Sequence, residues 1–505
     1  MPGPAQSLCS KCGERPRRRP GLPCLPCSME IQRAARGSSA PAPSVPRFTR
    51  SLGATRYLIT SAQNATPVHA EFLAALKVAA KALEAELVVI PLRYRNPTST
   101  WSSKQENDDW WDPSVVPFLF NQRKKLGPNL VLVGDVKIQP TAISPLSGFE
   151  ALTGRESCVI GHPKVQFRSV PTGGHPKILT TTGACTRRNF TDSKAGKLGA
   201  FHHGLGAVLV ELDGKYFHLR QINADRSTGV FIDVDKLYTP RGVSPAPPAL
   251  GLVLGDIHER FVCPKVDRAT FGPGGIVEVL NPGTLVFNDL FDGYSVNPHH
   301  GENPFVAQVK HRGCVGGVRE EVEHAVKYVQ QRCEGRRAVV VPSNHDNFLS
   351  RWVVSTDWRK IPANAEFYLE TAAAMLKSSR LTSSGARYAD PFKYWVDRLK
   401  GDANIQCLEV DESFKLGGIE CGLHGDRGPN GARGTLKNLS RLGERVISCH
   451  SHTPGIEEGH YQCGTSTTLR LEYTHGPSSW LNTHCVVYAN GKRSLLTIID
   501  GKWRR

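Results

Sequence analysis

At 505 residues, 39% hydrophobic and 22% charged, the chain is too long for one compact core and too apolar for a disordered tail. No apolar run approaches the ~18–20 residues of a membrane helix, which excludes a helical span. Lys and Arg outnumber Asp and Glu by 63 to 46, and the net charge of +17 favours polyanionic partners, with DNA or RNA first among them.

Fourteen cysteines could suggest a secreted disulfide scaffold, but ten of them are scattered through long apolar segments. The N-terminus is rich in Pro, Cys and Arg and lacks the apolar centre of a secretory signal. A reducing, cytoplasmic compartment is therefore expected, with the cysteines as buried thiols or metal ligands.

Residues 1–36 are expected to form a zinc-binding module. Cys9 and Cys12, then Cys24 and Cys27, make two C-x-x-C turns that can close a tetrahedron of thiolates around one structural zinc. So short a segment could not otherwise bury enough to fold. Arg15, Arg17, Arg18 and Arg19 lie between the turns, where they could meet phosphates. Residues 37–55, opening on a Ser/Ala/Pro-rich stretch, are expected to be a linker.

Residues 56–243 are expected to be a mixed α/β accessory domain. Short strands are predicted at Tyr57–Ser61, Leu87–Pro91 and Asn129–Gly134, and a helix over Glu71–Leu87. Strands Ala207–Leu212 and Lys215–Gln221 meet through Asp213-Gly214, a hairpin signal. His202, His203, Arg187 and Arg188 could line a pocket. Adjacent histidines on a strand point opposite ways, so one at most serves a given site, and a structural or substrate-positioning role is expected.

From Leu250 the pattern becomes apolar strands that each end in a polar cluster. Gly251–Leu254 leads to Asp256 and His258, and Thr284–Phe287 leads to Asn288, Asp289 and Asp292. The sequence VREEVEHAVKYVQQRC, Val318–Cys333, has helical spacing and feeds a strand, Arg337–Val341, that ends in Ser343, Asn344, His345 and Asp346. His424 follows another apolar run, and His450 and His452 follow Arg445–Ser448. In open α/β sheets sites assemble at such carboxyl ends. Carboxylate, amide and imidazole together suit divalent Mn, Fe or Zn. His345 is placed to meet a substrate, with Asp346 to orient it.

This arrangement resembles the calcineurin-like metallophosphoesterase family, whose motifs run D-x-H, G-D-x-x-D, G-N-H-[DE], a lone histidine, and G-H-x-H. The likeness spans residues 250–505. Asn288, Ser343 and Cys449 stand where that family has glycines, and no ligand is lost. The resemblance implies a two-sheet α/β sandwich and two divalent ions, Mn most of all, with Fe, Zn or Mg as alternatives. It implies that Asp256, His258, Asp289 and His452 hold one ion, and that Asp289, Asn344, His424 and His450 hold the other. It further implies His345 and Asp346 as catalytic groups and hydrolysis by a metal-activated hydroxide.

The charge and the glycine-rich loop Gly422–Gly434, whose Arg427 and Arg433 could meet a backbone phosphate, favour DNA as substrate. Trp352 and Trp358 could stack on bases. The Mre11/SbcD-type nucleases are then the nearest branch. The layout more loosely resembles the early DNA-degrading nucleases of T5-like bacteriophages, which would place the chain in a host bacterial cytoplasm, with DNA and not a membrane as partner and able to form a homo-oligomer. A phosphatase acting on phosphoproteins or small monoesters would share every ligand. A non-catalytic DNA-binding scaffold is a third alternative, disfavoured by the full ligand set.

Overall fold

The structure is a computed structural model and describes residues 47–94, 96, 110–300, 303–383, 385–472 and 474–505. Cys9, Cys12, Cys24 and Cys27, and most of the expected linker, lie outside the described residues. From Thr49 to Arg505 the chain forms one compact unit.

The unit opens with β1 (Arg56–Gln63), α1 (Ala70–Ala82) and β2 (Glu86–Leu92). α1 starts where His69 Nδ1 accepts the Phe72 amide at 3.3 Å. It ends at Ala82, short of the expected Leu87, because Glu84 takes a left-handed φ of 50° and Leu87 joins β2. Then come β3 (Arg123–Gly127), β4 (Leu130–Val133), β5 (Ser157–Ile160), β6 (Phe167–Val170) and β7 (Lys177–Thr181). The expected hairpin forms as β8 (Gly206–Asp213) and β9 (Tyr216–Asn223), turning through Gly214 at φ 59°. β10 (Phe231–Asp233), β11 (Lys236–Thr239) and β12 (Gly242–Pro245) make a small meander.

The second half begins with β13 (Gly251–Val253), α2 (Pro264–Phe271), β14 (Thr284–Asn288), α3 (Val318–Cys333) and β15 (Arg337–Val341). It continues through α4 (Asp346–Ser355), α5 (Ala365–Ser378), the hairpin β16 (Arg380–Thr382) and β17 (Gly385–Arg387), and α6 (Pro391–Leu399). It closes with β18 (Ile405–Cys407), β19 (Lys415–Leu416), β20 (Ile419–Glu420), β21 (Val446–Ser448), β22 (Gly455–Glu457), β23 (His460–Gln462), β24 (Asn482–Val487) and β25 (Arg493–Ile498).

The chain is mixed α/β. One sheet runs β18-β15-β14-β13-β24-β25, another β2-β1-β8-β9, and a third β19-β20-β21-β23-β22-β6-β7-β5-β4-β3. The third sheet takes strands from both sides of the expected boundary at residues 243–250, so the two segments read as separate domains share one sheet. Side-chain alternation explains the layering. Val253, Val286 and Val339 face a core shared with Ile419, Ile447 and Ile456, while Leu252, Leu285 and Val340 face the helices. α3 buries Val318, Val322, Ala325, Val326 and Val329, a stripe at helical spacing. No helix among the described residues is long and apolar enough to cross a membrane.

His202 and His203 are not on a strand. His202 ends the helix Lys194–His202, and His203 is the residue just after it, with Nε2 2.9 Å from the Thr186 carbonyl. Burial holds His162, His203, His218 and His460 down at about 4 and His484 at about 3. They fold neutral but charge near pH 6.5 when unfolded, so the unfolded chain takes up protons first as pH falls. Their stability contribution is complete above pH 6.5 and is lost between 6.5 and 4, at about 1.4 kcal/mol per pH unit for each histidine. The urea midpoint is expected to fall sharply from pH 7.5 to pH 5, and an unchanged midpoint would refute this.

Candidate metal centre

β13, β14 and β15 are parallel, with Gly251 opposite Thr284 and Thr284 opposite Arg337, so their carboxyl ends align. Asp256 and His258 follow β13, Asp289 follows β14, and Asn344 and His345 follow β15. His424 follows β20, and His450 and His452 follow β21. Backbone bonds knit these ends together: His258 N–H donates to the Asp289 carbonyl at 2.7 Å and Cys449 N–H to the His424 carbonyl at 2.7 Å. Fully buried His484 accepts the Gly255 amide at 3.0 Å and lies 2.9 Å from the Thr270 hydroxyl, fixing the turn before Asp256.

Four of these residues adopt left-handed backbone: His258 (φ 42°), Asp289 (48°), His450 (73°) and His452 (57°). Each such residue costs on the order of 1 kcal/mol or more, and such strain gathers where function holds it in place. It turns the side chains of separate strand ends toward one point.

That point is dense in ligand atoms. His258 Nε2 lies 3.0 Å from His452 Nε2 and 3.3 Å from Asp289 Oδ2. His452 Nε2 is 3.2 Å from Asp256 Oδ2. His424 Nε2 is 3.5 Å from Asp289 Oδ2 and 3.2 Å from Asn344 Oδ1. The His424 and His450 rings meet edge to face at 5.1 Å. Two groupings, His258–Asp289–His452 and Asp256–Asp289–His424, each bring their ligand atoms within 4.8 Å, and Asp289 belongs to both.

The donors fit a cation. Both Asp256 oxygens, Asp289 Oδ1, His424 Nδ1 and His452 Nδ1 are buried without a hydrogen-bond partner. Buried carboxylate oxygens left so are costly unless something positive meets them. Burial, then the nearby Asp289, pushes the Asp256 carboxyl well above its usual range. Burial also opposes charge on Asp289, but His345, His258 and His424 outweigh it and hold that carboxyl low. At His258 burial opposes the proton, yet Asp289 and Asp292 prevail and raise it to about 9. Burial pushes His424 down to about 4 and lowers His450 and His452, leaving neutral imidazoles with lone pairs to offer.

No family model matches the sequence. Over 464 residues the chain is 32% identical to protein A1 of Escherichia phage T5, a match covering 89% of this chain and 82% of that protein. The chain belongs to the family of that phage protein.

In this A1-family chain Asp346 does not orient His345 as expected. Its carboxylate accepts the Ser343 amide at 2.8 Å and lies buried. His345 Nδ1 instead lies 2.6 Å from the Asp292 carbonyl. Asp292 is the residue missed as a functional group: its carboxylate sits 3.0 Å from His258 Nδ1 and turns Nε2 toward Asp289. The available signal was its place in the same strand-end cluster as Asp289. Asp292→Asn is expected to weaken divalent-ion binding by roughly 10–100-fold while the melting curve holds. Unchanged affinity by titration would sink that role.

Arg427 and Arg433 are exposed and pair as a bridge that closes the glycine-rich loop. Arg427 contacts Asp426 at 3.5 Å, and Arg433 lies close enough to help lower His450. A Cβ on Gly434 would stand 1.8 Å from the Gly425 carbonyl oxygen, so only glycine fits. Gly434→Ala should displace the loop backbone, and wild-type hydrogen-exchange protection across residues 422–434 would refute that constraint. Trp352 packs on Phe367 and Tyr368, a core role, whereas Trp358 is exposed. Trp480, not singled out from the sequence, lies edge-on to His452 at 4.1 Å.

Proposed function

We propose that this A1-family chain is a metallophosphoesterase that hydrolyses DNA phosphodiesters with two divalent ions, Mn²⁺ first among them. The observation that carries the proposal is Asp289, a buried carboxylate that belongs to two histidine-bearing groupings at once. Divalent ions held there would supply Lewis acidity to the phosphate and a lowered pKa to the attacking water.

The chain's own groups divide the remaining work. Asp256, His258, Asp289 and His452 would hold one ion, and Asp289, Asn344, His424 and His450 the other. His345 has Nδ1–H fixed by the Asp292 carbonyl, which leaves Nε2 to face the reacting group, where the imidazolium form would donate to a phosphoryl or leaving oxygen. Arg427 and Arg433 would hold flanking phosphates, and the net charge of +17 supports a polyanionic substrate. The phage relative is consistent with action in a host bacterial cytoplasm. A homo-oligomer and a structural zinc on Cys9, Cys12, Cys24 and Cys27 complete the proposal.

The test incubates purified chain with linear and circular DNA in Mn²⁺, Mg²⁺ or EDTA, beside His450→Ala. Mn²⁺-dependent degradation that the variant lacks is the expected result. Intact DNA beside brisk p-nitrophenyl phosphate hydrolysis would overturn the DNA assignment in favour of a phosphatase.

A further inference from the structure

Nine strands of each half of the compact unit correspond, β1 to β9 in the first and β13, β14 and β19 to β25 in the second. The order β2-β1-β8-β9 repeats as β14-β13-β24-β25. In each set the first pair is parallel and the next two are antiparallel. β3 to β7 likewise repeat β19 to β23: an antiparallel pair, two parallel pairs, then an antiparallel pair.

The correspondence extends to single hydrogen bonds. His69 N–H meets the Cys185 carbonyl at 2.8 Å, and Arg187 N–H meets that of Pro67 at 3.0 Å. In the second half Cys263 N–H meets the Ser466 carbonyl at 3.0 Å, and Thr468 N–H meets that of Phe261 at 3.1 Å. The bridges Val68–Thr186 and Val262–Thr467 match as well. The same two sequence offsets relate every one of these pairs.

The halves join as two copies would across a two-fold axis. β6 pairs antiparallel with its counterpart β22, and Phe167 lies opposite Ile456, the residue that holds its place in the other half. Such self-complementary pairing is the mark of an isologous interface. It also covers two edge strands that would otherwise be open.

The registers identify what stands at five of the ligand positions, and the same pairings set Asp135, whose carboxylate meets Arg123 at 3.4 Å, where His424 stands. Ile59 opposite Val208 matches Val253 opposite Cys485, which sets Ala62 and Asn64 where Asp256 and His258 stand. Val88 matches Val286, so Pro91 takes the place of Asp289. Ile160 opposite Thr181 matches Ser448 opposite Gln462, which sets His162 and Lys164 where His450 and His452 stand.

These residues do not fit a metal. Among the five, Asn64 and His162 keep a ligand's chemistry, and their ligand atoms are engaged: Asn64 Oδ1 accepts the Tyr94 amide at 2.7 Å, His162 Nε2 lies 3.1 Å from the Gln139 carbonyl, and His162 Nδ1 accepts the Lys164 amide at 3.0 Å. The Lys164 ammonium, 5% exposed, is held by Glu457 at 3.2 Å, Glu458 at 3.1 Å and the Ile143 carbonyl at 2.6 Å.

We infer that the chain is an internal pseudo-dimer with one metal centre, in the second half, and a metal-free counterpart in the first whose fixed cation, Lys164, stands where His452 stands. The inference rests on the proposed metal centre. It assigns His162 and Lys164 to holding the shared sheet, since Glu457 and Glu458 lie at β22.

The test counts Mn²⁺ bound by the full chain, using the electron paramagnetic resonance of the free ion. Wild type, Asp289→Asn, His162→Gln and Asn64→Ala are compared, each with a melting curve. Asp289→Asn should lose saturable binding, while His162→Gln or Asn64→Ala should match wild type within about twofold. Saturable Mn²⁺ in Asp289→Asn that His162→Gln or Asn64→Ala removes from the wild-type count would overturn the inference. Asn64→Ala decides alone should His162→Gln fail to fold. Lack of phosphoester hydrolysis would defeat only the proposed function, because the ion count is read separately. A wild-type chain that binds no Mn²⁺ would defeat both.

Discussion

Asp289→Asn is expected to abolish DNA hydrolysis, by at least about 10³-fold in kcat, on the order of 4 kcal/mol of barrier. The carboxylate is buried and lies 3.3 Å from His258 Nε2 and 3.5 Å from His424 Nε2, so no neighbour can replace it between the two groupings. An amide keeps the shape but withdraws the negative charge that two cations would share. The fold should survive, because the strands beneath rest on apolar cores. Turnover within about tenfold of wild type, with a normal melting curve, would remove Asp289 from the chemistry.

Arg220→Met should do the reverse and destabilise the fold by roughly 3–5 kcal/mol without entering the site. The guanidinium is 5% exposed and bonds Asp233 at 2.5 and 2.8 Å and Glu211 at 2.7 Å. It ties β8, β9 and β10 together. Its removal leaves buried Asp233 without its partner and Glu211 with only the half-exposed Arg56 at 3.2 Å, and that lost compensation, more than the lost bonds, sets the cost. Denaturant unfolding measures it, and a change below about 1 kcal/mol would show that water or Arg504 takes over. Residual activity per folded molecule should stay at the wild-type level.

The two variants separate what holds the molecule together from what would do its chemistry, and the sequence discloses these unequally. α3 and β15 have the bounds their residues suggest, because a 3.6-residue apolar stripe followed by a β-branched run is a local signal. The turn at Asp213-Gly214 is local too. Asp256, Asp289, Asn344, His424 and His450 could be picked out because each follows an apolar strand, where backbone direction alone puts side chains at a sheet's edge.

The remaining features depend on distant pairing. β6 and β22 lie almost three hundred residues apart in sequence, and nothing in either short strand names its partner, so the shared sheet and the repeated halves emerge only from tertiary structure. The roles of Asp292 and Asp346 turn on which way two neighbouring carboxylates point, a matter of rotamer and backbone φ that residue spacing does not specify. His202 and His203 likewise depend on a helix end that composition left open. Local periodicity and strand-end chemistry were therefore fixed by the sequence itself, because they need only neighbours along the chain. Register, partner choice and side-chain direction were decided by packing, because their energies come from residues that meet only when the chain has folded.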